Sequence, residues 1–195
     1  MTAARPAAQV PGLGRAAGRF VLSVALLCAC GPRSQPGVTV LTTPALESVI
    51  ASSLEFVGGE RRHEAVSDPA AELSRRGGFG VAVVPRDDCA ECYRLEGQGS
   101  KLIVYGGVPL GAQYGLAHAL ELFGYGFFHP WRYRVPQQPH DAASVPTTEF
   151  APEVDKRRGL HLHTLHPIEA YYDFWESGEA NLEGAKRTID FVVKN

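Results

Sequence analysis

The sequence predicts an α/β fold, a sheet covered by helices with one further strand–helix unit after it, and three observations predict it. Short apolar or β-branched runs alternate with segments whose apolar residues recur at helical spacing. One run, Gly80–Pro85, is apolar without interruption, the pattern of a strand covered on both faces. Two runs, Tyr93–Glu96 and Lys101–Tyr105, flank Gly97–Ser100 and read as a hairpin within that alternation.

The chain opens with a targeting segment. No acidic residue precedes Glu47, and Arg5, Arg15 and Arg19 supply a positive n-region. The apolar run Phe20–Ala29 is too short for a bilayer core, which needs about 20 residues, so it reads as the h-region of a signal. Leu27-Cys28-Ala29-Cys30 is similar to a bacterial lipobox, with Leu three residues before the modified Cys. Residues 1–30 are therefore read as a lipoprotein signal peptide with Cys30 as the lipidation site. Acylation at Cys28 and plain secretory cleavage are the alternatives. Residues 31–37, rich in Pro and Gly, read as the tether. The predicted location is the bacterial cell envelope, with the chain exported and held to a membrane by its lipid anchor.

An α/β domain is predicted over residues 38–135. Val38–Leu41 is a strand. Thr43 and Pro44 start a helix as N-cap and first residue, and it continues through Leu46, Val49, Ile50 and Leu54 to Gly58-Gly59. Arg61–Val66 is a weak strand, and Asp68-Pro69 caps a short helix that ends near Arg76. The Gly80–Pro85 strand and the hairpin follow. Leu110–Phe123 is a helix carrying Leu116, Leu120 and Phe123 on one side, and Gly124–Pro130 closes the unit. Residues 136–155, poor in apolar periodicity and rich in Pro, Gln, Thr and Ala, read as a linker. Residues 156–195 hold a new strand, Lys156–Pro167, and a helix over Glu183–Val193. A lone strand–helix unit cannot bury its own faces, so a second domain is expected to begin here and to be cut off.

Composition narrows the partners. The formal net charge is −2 and 45% of residues are hydrophobic, which suits a globular protein and gives no sign of nucleic-acid binding. Cys89 and Cys92 stand as C-x-x-C, open to a redox motif, half a zinc site or a short disulfide. Zinc needs two further ligands and no second Cys pair exists, so no metal is assigned. A redox motif wants a strand feeding a helix, whereas Pro85–Asp88 reads as a turn. Outside the cytosol a local disulfide or two idle thiols is the better reading.

Tyr93–Glu96, Lys101–Gly107 and Gly111–Gly124, taken in order, resemble the small α/β accessory domain that precedes the barrel of glycoside hydrolase family 20. The same domain, often with an ending like Phe127-Phe128-His129-Pro130, fronts alpha-glucuronidases and related secreted proteins. Arg158–Leu162 is similar to the opening strand of the (β/α)8 barrel of those enzymes, and Ile189–Asn195 to the helix after it. The resemblance implies an accessory domain followed by the first unit of a truncated barrel, from an exported glycosidase-like protein acting on extracellular carbohydrate. It places Arg158 where hexosaminidases hold the hydroxyls of the terminal sugar, a task for a fixed fork of donors. His163 departs from the acidic residue usual there. The catalytic carboxyl groups of such enzymes lie on later strands, so no residue here is given a catalytic role, no cofactor is implied, and the chain by itself is expected to be inactive.

Other readings remain open. Lys156-Arg157-Arg158 is also a plain charged run. His161 and His163, two apart on a strand, share a face, the first-strand arrangement of metal-dependent amidohydrolases, or simply a substrate-binding strand without metal. The whole chain can equally be a non-catalytic carbohydrate-binding or scaffolding module. Gly106, Gly107 and Gly111 lack the Lys-Ser/Thr and the spacing of phosphate loops and read as a tight turn with close helix packing. Tyr125, Phe127, Phe128, Trp131 and Tyr133 are expected mostly at the boundary between the two domains, with Trp131 exposed and able to stack on a sugar ring. The substrate-binding set is thus Arg158, His161, His163 and Trp131.

Overall fold

The computed structural model describes residues 37–59, 61–151 and 174–195. β-branched and apolar residues make β1 (Val38–Thr42), and the more polar β2 (Arg61–Ala65) pairs parallel to it at the sheet edge. Between them a single 3-10 turn, Pro44–Leu46, leads into α1 (Glu47–Leu54). Thr43 is extended, as an N-cap should be, yet its side chain accepts no capping bond. The tighter first turn is closed instead by the Leu46 amide donating to the Thr43 carbonyl. Asp68 does cap α2 (Pro69–Arg75), accepting from the Ala71 amide at 3.0 Å.

The apolar run becomes β3 (Phe79–Arg86), which lies parallel to β1 on the side away from β2. β4 (Tyr93–Gly99) and β5 (Lys101–Gly107) form the antiparallel hairpin, and β5 pairs parallel to β3. Gly97 and Gly99 have positive φ of 131° and 61°, conformations open to glycine at little cost. α3 (Leu110–Leu122) then runs back across the sheet.

The segment read as a linker contains β8 (Ala142–Phe150), which pairs antiparallel with β4 and completes a six-stranded sheet of order β2-β1-β3-β5-β4-β8. An edge strand needs only one buried face and tolerates the missing donor of Pro146, so its local pattern is weak. Its partner lies some fifty residues back, where no local window reaches. A second feature absent from the sequence reading is a small two-stranded sheet, β6 (Gly126–His129) and β7 (Arg132–Arg134).

Two layers of side chains hold the sheet. On one face Val38, Val40, Val81, Val83, Leu102 and Val104 meet Leu46, Ile50 and Leu54 from the first helical segment and Ala112, Leu116 and Leu120 from α3. On the other, Leu73 of α2 covers Leu41 and Ala82. The ring of Phe123, just past α3, meets Phe79 edge-on at 5.4 Å between centroids. Phe79 pairs with Val38, so α3 ends, and the β6–β7 hairpin begins, at the end of the sheet where β1 starts.

α4 (Glu179–Lys194) begins one turn before the expected Glu183 and lies against α3 and β6. The Tyr133 hydroxyl donates to Asp190 at 2.6 Å, and the Asn195 amide donates to the Phe127 carbonyl at 3.0 Å. Lys194, buried beside Asp190, pairs with it. The expected strand 156–167 lies outside the described residues. Among those described, no helix is long and apolar enough to cross a membrane.

The turn from β5 into α3 has no spare room. A β-carbon at Gly107 would lie 1.7 Å from the Cys89 carbonyl oxygen, and one at Gly111 would lie 2.1 Å from that of Cys92. Gly107→Ala is therefore expected to destabilise the protein by roughly 2–4 kcal/mol, because backbone must move to admit the methyl. A urea midpoint unchanged from the wild type would contradict this packing.

Candidate functional site

Of the residues singled out in the sequence, Cys30, Arg158, His161 and His163 lie outside the described residues. Cys89 and Cys92 are joined by a disulfide with Cα atoms 5.3 Å apart, in the loop between β3 and β4. That loop also supplies acceptors: the Gly111 amide donates to the Ala90 carbonyl at 3.0 Å, and the Gly107 amide to the Cys92 carbonyl at 2.8 Å. Among the described residues no group of three or more His, Cys, Asp or Glu side chains could hold a metal ion.

A cleft of about 310 Å³ opens between α3, the ends of β4 and β8, and the last residues of α4. Tyr114, His118 and Glu121 reach it from α3, since residues four and three apart on a helix share a face. The Tyr93 hydroxyl lies 3.1 Å from Nδ1 of His118. Phe150 stacks on Tyr93 with centroids 4.6 Å apart, and the His118 ring meets Phe150 edge-on at 4.9 Å. Gly115 lets this helix approach, for a β-carbon there would come within 2.3 Å of Val104. Glu91, in the disulfide loop, forms part of the wall.

Burial sets the ionisation of the cleft. Desolvation lowers the imidazole of His118 below its ordinary 6.5 and raises the carboxyl of Glu121 above its ordinary 4.5. Desolvation also lowers Lys194, against the opposing pull of Asp190, and burial followed by the hydrogen bond to Asp190 raises the Tyr133 phenol. His118 thus favours its neutral form, able to share a proton with Tyr93, and the cleft combines aromatic faces with neutral and acidic hydrogen-bonding groups. No local pattern marks this cleft, because Tyr93, His118 and Phe150 belong to three separate elements.

The aromatic segment after α3 divides into buried and exposed members. Tyr125 and Phe127 are buried in the main core, Tyr133 is half-buried, and Phe127 and Tyr133 also meet α4. Trp131 is 46% exposed at the turn of the β6–β7 hairpin, and Phe128 is 69% exposed. The Phe128 ring lies over Gly126, where a β-carbon would sit 2.4 Å from it, and the Arg134 guanidinium stands 5.6 Å from the ring centroid. Trp131 and Phe128 are an exposed aromatic pair; the sequence reading anticipated only the first.

The fold and these sites define a mixed α/β protein with a six-stranded sheet. No protein-family model, curated protein or solved structure matches the chain.

Two outcomes follow from this geometry. Closing a loop this short contributes about 2 kcal/mol in the chain-entropy treatment, so the Cys89→Ser/Cys92→Ser double variant should lose about that much in urea unfolding. No loss at all would mean that the loop's backbone contacts hold it unaided. The unfolded chain protonates His118 near 6.5 and the folded chain only at lower pH, so unfolding is favoured as pH falls between those values. The stability that this residue contributes is complete above 6.5 and fades below it. His63 of β2, also lowered chiefly by burial, adds to the same slope. His118→Gln should flatten the slope without abolishing it, and its imidazole resonances in the wild type should titrate below 6.5. A ring titrating above that value would contradict the burial.

Proposed function

We propose that this chain is the N-terminal part of an exported, lipid-anchored, glycoside-hydrolase-like protein acting on extracellular carbohydrate, in which the described α/β domain is a non-catalytic accessory module. Arg158, His161 and His163 are among the residues that contact saccharide, Trp131 completing the expected set, and the catalytic carboxyl groups are not among those of this chain. The feature that most directly supports the reading is β8, which ends the accessory sheet at Phe150 and leads within a few residues to the segment bearing Arg158. The disulfide between Cys89 and Cys92 agrees with folding in an oxidising compartment.

The test is titration of the purified chain with chitooligosaccharides and glucuronic-acid-bearing xylooligosaccharides, alongside hydrolysis assays on the same sugars. Binding without turnover is expected, and Arg158→Ala should weaken it by roughly tenfold to a hundredfold as a charge-assisted contact is lost. Turnover by this chain would overturn the non-catalytic assignment. Absence of binding to any of these sugars would remove the carbohydrate reading.

A further inference from the structure

We propose that the tip of the β6–β7 hairpin is a membrane-facing surface that seats Phe128 and Trp131 at the headgroup level of an anionic bilayer. The proposal rests on the lipid-anchored reading given above for its geometry, and on the hairpin itself for its chemistry.

From Gly124 to His140 the sequence contains no acidic residue, while Arg132, Arg134, His129 and His140 fall within it. The apolar groups of the tip point outward: Phe128 and Trp131 are among the exposed large hydrophobic residues, with Pro130 between them. Arg132 and Arg134 follow them, both exposed, with the Arg134 guanidinium donating to the Gly124 carbonyl at 3.1 and 3.2 Å. Aromatic rings beside arginines suit the membrane–water interface, where the ring sits among headgroups and the guanidinium meets phosphate. Trp131 is held in the turn by its own amide donating to Nδ1 of His129 at 3.3 Å. Below the tip the hairpin is rigidly based, for Phe127 is in the core and Tyr133 is bonded to Asp190.

Position agrees with chemistry. Val38, Arg61 and Phe79 pair at one end of the sheet, and Phe79 touches Phe123, from which the chain runs directly into the hairpin. Whatever precedes β1 therefore joins the domain at the hairpin's end of the sheet. Arg61 and Arg62 begin β2 at the same end, where the last turns of α1 and α3 also bring Glu55 and Glu121.

The experiment uses the full chain, produced in a host that acylates lipoproteins and carrying Trp175→Phe. The sequence has two tryptophans, so Trp131 is then the sole emitter. The protein is added to vesicles of phosphatidylcholine alone, or mixed with phosphatidylglycerol, each with and without brominated phosphatidylcholine. Co-flotation with neutral vesicles reports the anchor and so tests the lipoprotein reading separately. The hairpin proposal expects Trp131 emission to shift to the blue and to lose intensity to bromine when phosphatidylglycerol is present. Arg132→Gln and Phe128→Ser, both at exposed positions, should each reduce that shift while leaving flotation intact. Unchanged emission with anionic vesicles would overturn the proposal, as would equal quenching in neutral ones. A response to soluble oligosaccharide in place of vesicles would overturn it too, and would give the surface to sugar.

Discussion

Backbone meets backbone where the Cys89–Cys92 loop rests on Gly107 and Gly111, and much of the architecture hangs from that contact. Three elements converge there: the start of β4, the end of β5 and the start of α3. Carbonyl groups of the loop accept the amides of both glycines, and no side chain stands between them. Buried peptide groups must find partners, and this loop supplies them for the turn that aims α3 back across the sheet. The disulfide closes this loop on itself.

With α3 aimed, the rest of the packing follows. Gly115 brings the helix down onto Val104, so that Leu116 and Leu120 reach the sheet and Phe123 closes on Phe79. The opposite, outward face of the same helix carries Tyr114, His118 and Glu121 into the cleft beside Phe150 and α4. One helix thus serves as core on one side and as cleft wall on the other. Its tilt, fixed at the glycine turn, couples the two.

Glycine has a different use at the hairpin. Gly126 leaves room for the edge of the Phe128 ring, which is exposed to solvent with the Arg134 guanidinium 5.6 Å from its centroid. The Tyr133 hydroxyl, bonded to the Asp190 carboxylate that also pairs with buried Lys194, ties this hairpin to α4. A charge pair removed from water is held there only by good geometry; this one lies within α4, and the Tyr133 hydroxyl, 57 residues away in sequence, adds a hydrogen bond to the same carboxylate.

By itself the sequence determined the elements whose cause is local. Continuous apolar runs specified the central strands, Asp68 with Pro69 started α2, and the i, i+4, i+7 spacing of Leu116, Leu120 and Phe123 marked the buried side of α3. Spacing also narrowed Cys89 and Cys92 to a few chemistries. Tertiary structure alone decided that 142–150 is a sheet strand, because an edge strand is defined by its partner and not by its own pattern. It decided as well that α4 belongs against α3, and that Phe128 faces out while Phe127 faces in. The cleft of Tyr93, His118 and Phe150 was invisible for the same reason. Its residues come from β4, α3 and β8, and only long-range packing brings their rings within 5 Å of Phe150.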